Sequence, residues 1–101
     1  MAEDRHIYGE VENKTDLTNV FQAIRRDVDQ ASSREALTEL HRRAGYLITL
    51  THAPSWQKKF GDEADELRRV AEDEFARTAR KINQRARAIG TEPSYDEKWG
   101  E

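Results

Sequence analysis

The sequence predicts an all-α fold: a three-helix bundle with a short connecting helix between the second and third helices and irregular termini. Three observations predict it. The chain has 101 residues, enough for one domain with a modest core. Apolar residues recur at spacings of three and four through most of its length, the period of an α-helix. Capping residues, proline and glycine separate the periodic segments.

Composition alone would favour disorder, because 37% of the residues are charged and the mean hydropathy is −1.02. The apolar residues are not scattered, however, and their periodicity argues for a folded core. We expect three parts: a flexible or docked N-terminal arm over residues 1–14, a helical bundle over 15–90, and a C-terminal tail over 91–101. The tail holds Tyr95 and Trp99, which either form a linear motif for another protein or fold back over the bundle.

The first helix is expected to begin with Thr15 or Asp16 as its N-cap. It carries one apolar stripe, and the opposite face holds Arg25, Arg26, Asp27 and Asp29. The stripe consists of Leu17, Val20, Phe21, Ile24, Val28 and Ala31.

Ser32 or Ser33 is expected to cap the second helix, whose stripe includes His41. Tyr46 and Leu50 fall on the other side, so the segment "AGYLITL" is apolar nearly all round and needs cover on two faces. Gly45 lies inside this helix, where glycine costs about 1 kcal/mol against alanine. It suggests close packing or a bend.

Pro54 starts a short helix that places Trp56 and Phe60 on one side, with Gly61 as its stop. This element is expected to close one end of the core. The last helix then runs from Asp62 to Gly90. At about 1.5 Å per residue the three main helices span roughly 24, 29 and 43 Å, so the last should overhang the others by about three turns.

The last helix sorts its charges: seven carboxylates lie from Asp62 to Glu74, and none lies from Phe75 to Gly90. The helix dipole and pairs four residues apart explain the acidic half and the arginines near it. They do not explain four cations that have no acid within four residues. These are Arg80, Lys81, Arg85 and Arg87.

Antiparallel association with an acidic partner, or with a second copy, would satisfy both halves of this helix. The expected overhang and the two-faced second helix also indicate a partner. We therefore predict a non-enzymatic helical protein–protein interaction module that forms a homo-oligomer, most simply a dimer. The predicted interface residues are Tyr46, Leu50, Phe75, Ile82 and Ile89.

An anion site is the alternative, because the segment "ARTARKINQRAR" presents five cations on about three turns. It would make the chain a nucleic-acid-associated accessory or regulatory protein. The formal net charge of −3 and the absence of aromatic residues among the cations argue against it. The candidate anion-binding residues are Arg77, Arg80, Lys81, Arg85 and Arg87.

The sequence offers little for catalysis, metals or cofactors, and we expect none of the three. There is no cysteine, and His41 and His52 are three helical turns apart, roughly 16 Å, too far to share one metal ion. Thr38 and Thr49 stand where a di-iron Glu-x-x-His motif would need glutamate. With no apolar run longer than three residues and no signal peptide, we expect a cytoplasmic protein without membrane association.

Overall fold

The computed structural model describes residues 11–90, which form three long helices, one short helix and no strand, so the all-α prediction is confirmed. Helix α1 spans Lys14–Gln30 and α2 spans Arg34–Thr51. The short helix α3 spans Pro54–Phe60, a 3₁₀ turn covers Gly61–Glu63, and α4 spans Ala64–Ala88. Most of the predicted arm and the whole tail with Tyr95 and Trp99 lie outside the described residues.

Helix α1 begins slightly earlier than predicted, because Asn13 and not Thr15 or Asp16 is its N-cap. Asn13 Oδ1 accepts a hydrogen bond from the amide of Asp16 at 2.8 Å, and Asp16 Oδ2 accepts one from the amide of Glu12 at 3.0 Å. The two side chains thus satisfy two backbone amides in the manner of a capping box. Asp16 acts within the first turn instead of in front of it.

The other helix boundaries follow the predicted signals, except that α4 begins at Ala64 and not at Asp62, after the 3₁₀ turn Gly61–Glu63. Ser33 caps α2, its Oγ accepting from the amide of Ala36 at 3.1 Å. Pro54 lies in the first turn of α3, where its missing N–H costs nothing. Gly61 and Gly90 follow α3 and α4 with φ of +56° and +78°, a backbone conformation that favours glycine.

Helix α4 is the common partner of the other two long helices. It runs parallel to α1, since Arg25 contacts Glu74 and Arg85 contacts Ala31. It runs antiparallel to α2, whose C-terminal Thr51 carbonyl accepts from Arg68 Nε at 3.3 Å while the His41 ring lies near Phe75. The core between the three helices is apolar and continuous. Its largest fully buried apolar side chains are Phe21, Leu17, Leu37, Leu47, Ile82, Val11 and Val28.

The expected overhang of the last helix does not occur. Helix α4 has fully buried side chains from Ala64 to Ala86, so it is covered along its whole length. At one end Trp56 of α3 is buried and its Nε1 donates to the Ala64 carbonyl at 3.4 Å. At the other end the α1–α2 turn reaches Arg85. The connecting segments therefore supply the length that α1 and α2 lack.

Candidate interaction surfaces

The five predicted interface residues have different environments in the structure. Phe75 and Ile82 are 8% and 0% exposed and belong to the intramolecular core, so a partner cannot reach them without unfolding the chain. Leu50 and Ile89 are partly buried against that core. Tyr46 alone is an exposed large apolar residue within the described part of the chain, at 38%. The apolar seam of α4 is therefore filled by α1 and α2 and does not offer an interface.

Tyr46 lies on the side of α2 that faces away from the core. We call this the α2 outer surface. From Ala44 to Ala53 the helix and its end carry no Asp, Glu, Lys or Arg. The members of the α2 outer surface are Thr38, Arg42, Gly45, Tyr46 and Thr49.

Gly45 on this surface is not closely packed, contrary to one of the two expectations for it. A Cβ atom added at Gly45 would meet no atom within 4 Å. Its backbone is ordinary helix, so neither packing within the described residues nor a positive φ requires glycine there. The space in front of Gly45 is open to the outside.

A compact ion cluster lies at the N-terminal end of the α2 outer surface and includes one of its members, Arg42. Arg42 holds Glu39 with two hydrogen bonds, Nε to Oε1 at 2.9 Å and Nη2 to Oε2 at 2.5 Å, and Arg43 Nε donates to Oε2 at 3.2 Å. These bonds, that from Arg42 first, lower the pKa of Glu39 to about 2. The carboxylate thus offsets part of the positive charge at this edge.

Two of the four unexplained cations of α4 have partners at the C-terminal end of α1. Lys81 Nζ lies 3.0 Å from Asp29 Oδ2, and Arg85 Nε donates to the Ala31 carbonyl at 2.9 Å. Arg77 pairs within α4, its Nε lying 3.2 Å from Asp73 Oδ2. Arg80 and Arg87 are exposed. The five candidate anion-binding residues are therefore not gathered into one site, and three of them are engaged by the protein's own acids and carbonyls.

A cation-lined groove between α1 and α4 contains only one of those five residues. It is an open depression of ≈ 470 Å³ lined by Gln22, Arg25, Arg26 and Lys81, which we call the α1–α4 groove. Sequence reasoning missed Arg25 and Arg26 because they belong to the polar face of α1. The available signal was that Arg25 directly follows Ile24 of the stripe, so its long side chain reaches the neighbouring helix.

Arg25 is held in a fixed position at the wall of this groove. Its Nη1 lies 2.7 Å from Glu74 Oε1, an ion pair outside hydrogen-bonding angles, and donates to Thr78 Oγ1 at 3.2 Å. The two charged side chains are 18% and 11% exposed. Thr78 is anchored in turn, because its hydroxyl donates to the Glu74 carbonyl at 2.8 Å.

The two histidines of α2 and its end have separate environments. His41 is half-buried with its ring centroid 5.7 Å from that of Phe75, and burial lowers its pKa from the ordinary 6.5. His52 is exposed, its Nε2 lying 4.0 Å from Glu72 Oε2. Over residues 11–90 no three His, Asp or Glu side chains converge as a metal site would require.

No protein-family model, curated protein or solved structure shows a significant match to this chain. Among the described helices, none combines the length and the apolar character needed to span a bilayer.

Proposed function

We propose that this chain is a non-enzymatic protein–protein interaction module that self-associates through the α2 outer surface. One observation carries the proposal: the uncharged segment 44–53 exposes Tyr46 in a chain that is 37% charged. The proposed contact lies on α2 and not, as the sequence predicted, on the last helix, because the apolar seam of α4 is occupied by the chain's own core.

The cost of removing water favours this surface over the outer faces of α1 and α4. Burying a charged side chain without a partner is expensive, and the centres of protein interfaces are depleted of charge and enriched in tyrosine. A partner at those faces would have to bury exposed Arg26 on α1 or Arg80 on α4, or supply an acid to pair with it. At Tyr46 and Thr49 a partner covers neutral groups, and Arg42, the charged member of the α2 outer surface, is already paired with Glu39.

A second copy of the chain is the partner that fits best. In a two-fold interface the residue on the axis faces its own equivalent, so a charged residue there repels itself. Gly45 is neutral and has open space in front of it, and its lack of a side chain lets two helices approach closely. Two α2 helices crossing at Gly45 would bring the Tyr46 side chains of both copies into the contact. The close approach in the dimer would then offset the cost of about 1 kcal/mol that glycine carries within a helix.

Sedimentation at several protein concentrations tests the proposal. We expect a dimer at tens of micromolar for the natural sequence and a monomer for Tyr46→Glu, which places two carboxylates near the axis. Gln84→Glu adds the same charge on the exposed face of α4 and should leave the dimer intact. Circular dichroism should show unchanged helix content in both variants. A natural sequence that stays monomeric at all concentrations, or a dimer that survives Tyr46→Glu, would contradict self-association at this surface.

The alternative, a nucleic-acid-associated accessory protein that uses the basic half of α4, has less support. Arg77 and Lys81 are in ion pairs and Arg85 is bonded to a backbone carbonyl. The exposed ion pairs cost little to break, but the five cations are not gathered into one site, and a polyanion would also have to displace Arg85 from the Ala31 carbonyl. A cytoplasmic location, expected from the sequence, remains part of the present proposal.

A further inference from the structure

We propose that the α1–α4 groove binds a small phosphate-containing anion, either inorganic phosphate or a small phosphorylated compound. This site is separate from the α2 outer surface and does not depend on self-association. Three cations from two helices line the depression of ≈ 470 Å³, with Gln22 as a further donor and no carboxylate among the described residues of the lining. Guanidinium and ammonium groups with an amide are the donor set that phosphate oxygens accept from.

Arg25 provides the fixed part of the site. Its contacts to Glu74 and Thr78 engage Nη1, and the side chain is only 18% exposed. A guanidinium carries five N–H donors, and these two contacts use only those on Nη1, so the donors on Nε and Nη2 are the ones that would bind an anion. Because its rotamer is already held, little conformational entropy is lost when an anion binds there.

Arg26 and Lys81 provide the adjustable part. Arg26 is exposed, and no acid in the described part of the chain forms a salt bridge with it. Lys81 is paired with Asp29, but the two side chains are 35% and 62% exposed. A pair this exposed contributes little to stability. Lys81 can therefore exchange Asp29 for a more highly charged phosphate at small cost.

The charge balance selects the class of ligand. Arg25, Arg26 and Lys81 carry three positive charges, and the adjacent Glu74 and Asp29 carry two negative charges, leaving one net positive charge. Such a site favours a compact, multiply charged anion over chloride. Between residues 11 and 90 no aromatic side chain lines the groove, so this part of the chain gives it no stacking surface of the kind that single-stranded nucleic acid uses. A small phosphate compound is therefore the better fit.

Titration with inorganic phosphate and with pyrophosphate at low salt, followed by amide NMR shifts of the full chain, tests the site. We expect saturable chemical-shift changes at residues 22–26 and around Lys81, with tighter binding for pyrophosphate than for phosphate. Chloride at the same concentration should cause no such changes. Arg26→Gln combined with Lys81→Gln should weaken binding at least fivefold. Arg80→Gln, an exposed cation outside the groove, should not. Arg25 is left unchanged because its replacement would leave the Glu74 carboxylate, which is 11% exposed, without its ionic partner.

Three results would overturn the proposal. They are shifts spread over all exposed cations, affinity that does not change in the double variant, or binding of an oligonucleotide in the absence of any phosphate or pyrophosphate binding. The self-association test uses variants of α2 and α4 outside this groove, so the two proposals can fail separately.

Discussion

Gly45 and Gly61 differ in whether the backbone conformation requires glycine. Gly61 has a φ of +56°, in a region where a Cβ atom strains the backbone, and it ends α3. Gly45 lies within α2 at an ordinary helical conformation with open space around it. Glycine is therefore required by the fold at residue 61 and merely tolerated at residue 45.

Replacing Gly45 by alanine should stabilise the monomer. The methyl group meets nothing within 4 Å, and alanine reduces the conformational entropy of the unfolded chain, so we expect a gain of about 0.5–1 kcal/mol in the free energy of unfolding. Gly61→Ala is the matched control and should lose stability because of its positive φ. Urea unfolding below the dimerisation range measures both. A destabilised Gly45→Ala monomer would mean that the space at residue 45 is needed within one chain.

At the scale of the helices, the sorted charges of α4 complement α1. Helix α1 has no basic residue in its last turn to satisfy its terminal carbonyls or the negative end of its dipole. Parallel packing brings the basic half of α4 alongside that end, where Arg85 binds the Ala31 carbonyl and Lys81 binds Asp29. Helix α4 therefore supplies the cations that α1 lacks at its own C-terminal end.

Removing this contact should weaken the bundle measurably. Arg85→Met keeps most of the aliphatic stem but leaves the Ala31 carbonyl without its charged donor, and we expect a loss of about 1 kcal/mol in unfolding free energy. Arg80→Met removes the same charge from an exposed position on the same helix and should change stability by less than about 0.5 kcal/mol. Thermal and urea unfolding compare the pair. Equal losses in the two variants would show that net charge, and not the carbonyl contact, is responsible.

How far the sequence predicts this arrangement depends on the range of each interaction. The cap at Ser33 and the stop at Gly61 are local and could be read directly. The pair Lys81–Asp29 joins residues 52 apart, and rules for neighbours three or four residues apart cannot find it. It follows only from the parallel alignment of α1 with α4, which the apolar stripes permit but do not specify.

At the scale of the whole molecule, a single core buries nearly all of the large apolar side chains of residues 11–90. The sequence correctly marked Phe75 and Ile82 as members of a continuous seam, but it could not show whether another chain or the same chain covers that seam. Helices α1 and α2 both pack on α4, so the seam is filled internally. Within residues 11–90, what remains for a partner is the small uncharged region around Tyr46, which periodicity identified only as a second apolar side of α2.

The same core sets the molecule's response to pH through His41. Burial lowers the pKa of this imidazole below the 6.5 of the unfolded chain, so between those two values the unfolded state binds more protons and stability rises with pH. His41 therefore contributes stability above pH 6.5 that is lost as the pH falls toward its folded value. The Glu39 carboxylate, with its pKa lowered to about 2 from 4.5, acts in a separate and more acidic window.

Unfolding free energies between pH 7.5 and 5.5 should therefore decrease toward acid, by at most about 1.4 kcal/mol per pH unit for one proton. His41→Gln should flatten this slope, because glutamine fills similar space without titrating. His52→Gln, at an exposed side chain near Glu72, should leave the contribution of His41 in place. If the slope persists in His41→Gln and disappears in His52→Gln, the exposed imidazole controls the acid response and burial beside Phe75 does not.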